Sequence, residues 1–218
     1  MYNFDKISLL YDKITTLETF GMDNYWRKYM IRDIKLDKNS KILDSGSGTG
    51  KLTDILYKKF NNCNIYAVDK SQKMMENIKN NKIIKINSDV TDTGFNDNYF
   101  DLIVSSFLIR PLKNSINDYF NEMNRILKKN KNFIIMEIYE PENKYFKLLF
   151  DIYFHIILKY FGNKITKSDS FTYFSDSVKN FHSYKYISDI LINNNFKIIK
   201  IKKFLFGSII IHYSMKLS

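Results

Sequence analysis

The sequence predicts an α/β fold: a mostly parallel sheet with helices on both faces and a C-terminal antiparallel hairpin. Three observations carry this. Short apolar runs alternate with helical stretches along most of the chain. Those runs are continuous, as strands covered on both faces are. The chain closes with two strand-like runs, "FKIIKIKKF" and "SIIIHYSMKL", separated by "LFG".

The elements follow in order. The first 35 residues read as helices around a loop, with Trp26, Tyr29, Met30 and Ile34 on one face. "KIL" is a first strand running into a glycine-rich loop, and "LTDILYKKF" is the helix after it. "NIYAVD" is a second strand that ends on an acid, followed by the helix "SQKMMENIKN" with Ser71 placed to cap it. "KIIKIN" and "FDLIVSSF" are the third and fourth strands, "INDYFNEMNRILKK" an amphipathic helix, and "NFIIMEI" the fifth strand. Beyond Pro141, helices are expected at about 143–161 and 183–193, before the hairpin.

At 218 residues, with 44% hydrophobic and 16% aromatic residues, one globular domain is expected. The net charge of +11 comes from lysines spread along the chain, which points to compositional bias rather than a nucleic-acid surface. A single cysteine, Cys63, excludes an intramolecular disulfide and fits a reducing, cytoplasmic setting. No metal is expected, because His155, His182 and His212 lack ligand spacing. The N-terminus has charges throughout and no small-residue cleavage site, and no apolar run reaches the roughly 20 residues that cross a bilayer.

The glycines mark the functional end. Three of the chain's seven fall in five residues, Gly46, Gly48 and Gly50 of "KILDSGSGTGKL". A glycine loop after the first strand lets backbone approach a ligand at the carboxyl edge of the sheet. The helix start behind it favours a polar or anionic group. Asp69, ending the second strand, stands where an acid accepts ribose hydroxyls. Together these indicate a nucleoside-containing cofactor and leave NAD open. The alternate glycine spacing is not GxGxxG, however, and Asp44 precedes the loop. No Lys-Ser/Thr follows Gly50, so a phosphate-binding loop is disfavoured.

On these residues the sequence resembles class I S-adenosylmethionine-dependent methyltransferases, which implies a Rossmann-like fold and that methyl donor. The resemblance extends along nearly the whole chain to the ubiquinone/menaquinone biosynthesis C-methyltransferases. It is carried by Tyr11-Asp12 ahead of "TFGMDNYWRK", by "TGFNDNYFDLIVSSFLIRPL", "EMNRILKKNK", "FDIYFH" and "DSFTYFSDSV", and by "FGSIIIHYSMK" near the end. It implies donor contacts at Asp44, Gly46, Gly48, Thr49, Gly50, Asp69, Lys70, Asp89, Val90 and Ser106. Arg110 falls on the family's arginine after strand four, and Tyr11 on its N-terminal tyrosine. The implied parts are N-terminal helices to residue 35, a cofactor-binding core at 40–140, a helical substrate-side insertion at 141–195 and the hairpin at 196–218.

The implied reaction moves a methyl from a sulfonium to a ring carbon ortho to a phenol oxygen on a reduced, prenylated quinone. Arg110 would hold the phenolate or polarise a water, since a guanidinium stays protonated and cannot serve as a base, or it is a surface arginine beside a turn at Pro111. Tyr11 would close over the donor, hydrogen-bond the acceptor or simply pack. His155 reads as a core residue, and His212 either matches the family's histidine or simply alternates outward from the last strand. The aromatic segment "KYFKLLFDIYFHIILKYFG" has four readings: a pocket for a prenyl tail, a face resting peripherally on a membrane, core packing, or a homodimer interface. The chain departs from the family at Pro111, Asp23, Asn24 and the "KKNK" turn. Another small aromatic or heterocyclic acceptor, or a non-catalytic donor-binding module, is the alternative. A nucleic-acid amino-methylase is disfavoured by the absence of an Asn/Asp-Pro-Pro-Tyr motif.

Overall fold

A computed structural model describes residues 11–158, 160, 163–164 and 170–217. Seven strands form one sheet in the order β3-β2-β1-β4-β5-β7-β6. They are β1 (Lys41–Ser45), β2 (Asn64–Asp69), β3 (Ile84–Asn87), β4 (Phe100–Ser106), β5 (Leu127–Ile138), β6 (Phe196–Phe204) and β7 (Ile209–Lys216). Strands β1 to β5 pair in parallel, while β7 runs antiparallel between β5 and β6. The expected α/β sheet and terminal hairpin are both present.

Helices α1 (Tyr11–Glu18), α2 (Asp23–Ile31), α3 (Lys51–Lys59), α4 (Gln72–Met75) and α5 (Ile116–Ile126) accompany the parallel half. Beyond β5 come α6 (Lys144–Phe150), a π-helical segment (Asp151–Leu158), α7 (Ser170–Lys179) and α8 (Tyr184–Asn193). Alternate strand residues feed two apolar layers. Ile42, Leu102 and Ile134 meet Trp26, Met30, Leu56, Phe154 and Phe171. Leu43, Ile103 and Phe133 meet Tyr119, Phe120, Met123 and Leu191 on the other face. Each such fully buried side chain contributes about 1.5–3 kcal/mol.

Three local expectations shift. The helix after β2 stops at Met75 rather than running on toward Asn80. Asn77 bonds the carbonyls of Lys73 and Met74, and Asn80 accepts the Lys82 N–H, so asparagine side chains divert the backbone from helix. Ser71 does cap α4, accepting the Met74 N–H at 3.2 Å. The "KKNK" stretch is a bulge inside β5 rather than a turn, with Asn130 at φ 60° and the pairing with β4 slipping between Phe100 and Leu102. α7 is a helix the sequence pattern did not delimit.

Candidate functional site

The carboxyl ends of β1, β2, β3 and β4 lie side by side, with the connections diverging on either side of β1. This is where open α/β sheets bind ligands. The glycine loop leaves β1 here with Gly46 at φ +72°, Gly48 at +52° and Gly50 at +89°. Gly50 is the N-cap of α3, and a Cβ on it would stand 2.5 Å from Ile78 Cγ1. The N–H groups of Gly46 and Ser47 donate to the Val68 carbonyl, which ties the loop to β2.

Asp69 completes that tie. Its Oδ2 accepts the Gly48 N–H at 2.8 Å, and its Oδ1 accepts the Ser71 N–H at 2.8 Å. One carboxylate therefore fixes both the glycine loop and the start of α4. A carboxylate oxygen has two lone pairs and can accept from more than one donor. Neighbouring Lys70 turns toward Asp89, Nζ to Oδ2 at 2.9 Å, and so joins the ends of β2 and β3. Partial burial raises the Asp89 carboxyl, but the Thr91 N–H, Lys70 and the Thr91 hydroxyl outweigh it and hold it below its usual range. Val90 is buried beside it.

Asp44 is the most perturbed acid of the loop. It is 1% exposed, and burial pushes its carboxyl up to about 7 despite a 2.6 Å bond from Thr53 Oγ1 to Oδ2. Its Oδ1 has no hydrogen-bond partner among the described residues. A buried acceptor in that condition suits a cationic or donor group at the loop.

A polar cluster sits behind the loop. Thr49 Oγ1 donates to Asp12 Oδ1 at 2.7 Å, which draws α1 onto the glycine turn. Lys51 Nζ lies 3.3 Å from Asp23 Oδ2, and Arg27 pairs with the same carboxylate. Arg27 Nε reaches Ser106 Oγ at the end of β4, at 3.4 Å, and its guanidinium lies over the Phe107 ring. Asp23, one of the family departures, is therefore buried with its own countercharges. Sequence reasoning missed Lys51 and Arg27; an acid on the buried face of α2 was the available signal, since it demands a cation.

The structure brings Asp44, Gly46, Gly48, Thr49, Gly50, Asp69, Lys70, Asp89, Val90 and Ser106 to one edge of the sheet. Arg110 stands one strand over. It is 4% exposed, its Nε is 3.7 Å from Glu137 Oε1, and its backbone N–H donates to Glu137 Oε2. Nη1 donates to the Phe174 carbonyl and to Ser177 Oγ, which clamps α7 over the β4–β5 exit. Burial raises the Glu137 carboxyl, and Arg110 opposes that rise. Tyr11 opens α1, but its side chain lies outside the described residues.

His212 does not alternate outward. It is 1% exposed, burial lowers it to about 4, and its Nε2 lies 3.2 Å from the Tyr184 carbonyl. The reason is that β7 is flanked by β5 and β6 and covered by α8, so its register turns His212 inward. His155 is half-buried, with Nδ1 against Ser175 Oγ.

Residues 2–216 match the model of the ubiE/COQ5 methyltransferase family. The chain belongs to that family. It is a methyltransferase that depends on S-adenosylmethionine. The demethylmenaquinone methyltransferase of Staphylococcus haemolyticus is 28% identical, covering 98% of this chain and 92% of that one. The enzyme of the same name from Bacteroides fragilis is 27% identical over 94% of this chain and 86% of its own. Among solved structures, a SAM-dependent methyltransferase from Aquifex aeolicus superposes with TM-score 0.66 at 16% identity, covering 94% of this chain and 98% of its own. Geranyl diphosphate C-methyltransferase from Streptomyces coelicolor superposes with TM-score 0.65 at 10% identity, covering 89% and 79%. These two likenesses establish a methyltransferase fold. Among the described residues, no helix is long and apolar enough to cross a membrane.

Proposed function

We propose that this methyltransferase methylates a ring carbon of a reduced, prenylated quinone precursor similar to demethylmenaquinol. The observation that carries the reading is an apolar cavity of about 190 Å³ at the end of β5. Ile138, Phe146, Leu149, Phe150, Tyr153 and Phe206 are among its lining. Such a wall suits a hydrocarbon tail. α1 spans from this cavity to the donor loop: Asp12 binds Thr49 at one end, while Tyr153 Oη donates to the Leu17 carbonyl at the other. Phe20, just past α1, stacks on Tyr153 with ring centroids 4.2 Å apart.

In this reading Asp69 holds the ribose of the donor, Asp89 and Val90 flank its base, and the glycine turn with Thr49 and Asp44 receives its amino-acid end. S-adenosylmethionine supplies a methyl already activated on a sulfonium. The chain's part is alignment and exclusion of water. Arg110 fixes α7 above the acceptor end, and its charge, shared with Glu137, is the cation nearest in kind to one that favours a phenolate. Tyr11 would close over the donor or the acceptor.

Tyr145, Leu148, Leu149, Ile156 and Phe206 are exposed around the cavity's helix and hairpin. This apolar rim would rest on the bilayer that holds a prenylated acceptor, giving peripheral membrane contact.

The test is methyl transfer from labelled donor to reduced naphthoquinols with and without a prenyl chain, with products identified by mass spectrometry. Ring methylation of the tailed quinol is expected. Transfer only to untailed aromatics or heterocycles would favour the alternative acceptor. Donor binding without transfer to any acceptor would make the chain a non-catalytic module.

A further inference from the structure

Glu140, Asp151 and His155 converge beyond the end of β5, two strands away from the glycine loop. Asp151 and His155 project from one face of the π-helical segment, and Glu140 meets them from the chain leaving the sheet. His155 Nε2 lies 3.6 Å from Glu140 Oε1 and 3.6 Å from Asp151 Oδ1. The three ligand atoms all fall within 4.8 Å of one another. All three are buried, and none has a hydrogen-bond partner among the described residues.

The other ring nitrogen of His155 sets the chemistry. Nδ1 is 2.5 Å from Ser175 Oγ, and Ser175 is 2% exposed. With the Nδ1 proton donated to that hydroxyl, Nε2 presents its lone pair to two carboxylate oxygens. Three acceptors facing one another without a proton repel unless a cation lies between them. Lys147 supplies part of that cation: it pairs with Glu140 through the opposite oxygen, Oε2, and its Nζ is 3.5 Å from Asp151 Oδ1. In that tautomer one ammonium leaves one of the two negative charges uncompensated and leaves Glu140 Oε1 and His155 Nε2 without a donor.

We propose that Glu140, Asp151 and His155 form a three-ligand site for a divalent first-row cation of the Zn²⁺ type. One imidazole nitrogen and two carboxylate oxygens are a donor set that Zn²⁺ accepts. Tetrahedral ligands at about 2.0–2.2 Å from zinc stand about 3.3–3.5 Å apart, so the two histidine separations close by a few tenths of an ångström. The Glu140–Asp151 separation closes through side-chain torsions. Ser175 plays the orienting part that a hydrogen-bonded neighbour plays for a metal-bound histidine. The bound cation pins the π-helical segment to the β5 exit and to α7, whichever acceptor the enzyme takes. The sequence hid this site because Glu140 is separated from Asp151 and His155 by Pro141 and α6.

The test is calorimetric titration of chelator-treated full-length protein with Zn²⁺ alone, alongside His155→Gln, Glu140→Gln and Ser175→Ala, with circular dichroism confirming that each variant is folded. One equivalent is expected in the wild type. Affinity should fall at least 100-fold in the two ligand variants and about 10-fold in Ser175→Ala. Lys147→Met should bind more tightly, because a competing cation is removed. Absence of binding to wild type at millimolar Zn²⁺, or equal binding by wild type and His155→Gln, would overturn the site. The second result would assign the metal to other surface ligands, Cys63 among them. If either ligand variant is unfolded, Lys147→Met and Ser175→Ala decide by moving in opposite directions or failing to do so.

Discussion

The edge of the sheet at β1 to β4 and the roof over β5 solve different problems. At the first, the groups at the edge are backbone N–H groups, glycines at positive φ and carboxylates such as Asp69, each pinned within a short loop. At the second, the groups are aromatic and aliphatic side chains on α6, the π-helical segment and the hairpin turn, several of them exposed. The hydrogen bonds of the loop are local and leave little choice of conformation. The roof is held by a few long-range polar clamps, chiefly Arg110, which joins the β4 exit, β5 and α7. In the proposed reading, donor binding is a property of the loop, and acceptor choice a property of how the roof is clamped.

The contrast breaks most visibly at the clamp. Arg110→Ala leaves Glu137 buried without its countercharge, which costs about 3–5 kcal/mol of stability. Chemical denaturation should show this, and Arg110→Met with Glu137→Leu should recover most of it. Wild-type stability in Arg110→Ala together with abolished turnover would instead place the guanidinium at the reacting atoms.

Asp44 gives the next largest effect, and its sign is fixed by its shift. Its folded value, about 7, lies above the ordinary 3.8, so the folded state retains a proton that the unfolded chain loses. That contribution is complete below about pH 4 and is lost as pH rises through 7. Asp44→Asn should remove it, and the variant should gain on the wild type by about 4 kcal/mol at most between pH 4 and pH 8. Parallel stability curves for the two proteins would contradict the burial argument.

On the donor side, Asp69→Ala should weaken S-adenosylhomocysteine binding by about 10- to 100-fold, the scale of charged hydrogen bonds lost. Titration calorimetry reads this directly. On the acceptor side, Leu149→Glu should change stability by no more than about 0.5 kcal/mol, since Leu149 is 63% exposed. Its effect should fall on flotation with anionic vesicles, which it should abolish.

The same division explains what the sequence disclosed. Five parallel strands and the terminal hairpin were legible because continuous apolar runs have few other uses. Gly46, Gly48, Gly50 and Asp69 were legible because their chemistry is local and their spacing short. The clamp was half legible: Arg110 was singled out for its place after β4, but its partner Glu137 lay unremarked inside "NFIIMEI", where a buried acid itself asks for a cation. α7 escaped although Phe171, Phe174 and Val178 stand at i, i+3 and i+7 on its buried face: the serines and Tyr173 between them blur the stripe, and its place depends on Arg110 reaching the Phe174 carbonyl. The inward turn of His212 depends on β7 lying between two strands, a tertiary fact with no local mark.

The central claim is that the loop governs the donor and the roof governs the acceptor. Steady-state kinetics on wild type and Phe206→Glu, with tailed and untailed reduced naphthoquinols, test it most directly. Phe206 is 67% exposed and stacks on Phe146 at the cavity. The account predicts that kcat/KM for the tailed quinol falls at least 10-fold while the donor KM and the untailed rate stay within about twofold. A donor KM that moves with the acceptor, or an unchanged ratio of tailed to untailed rates, would contradict it.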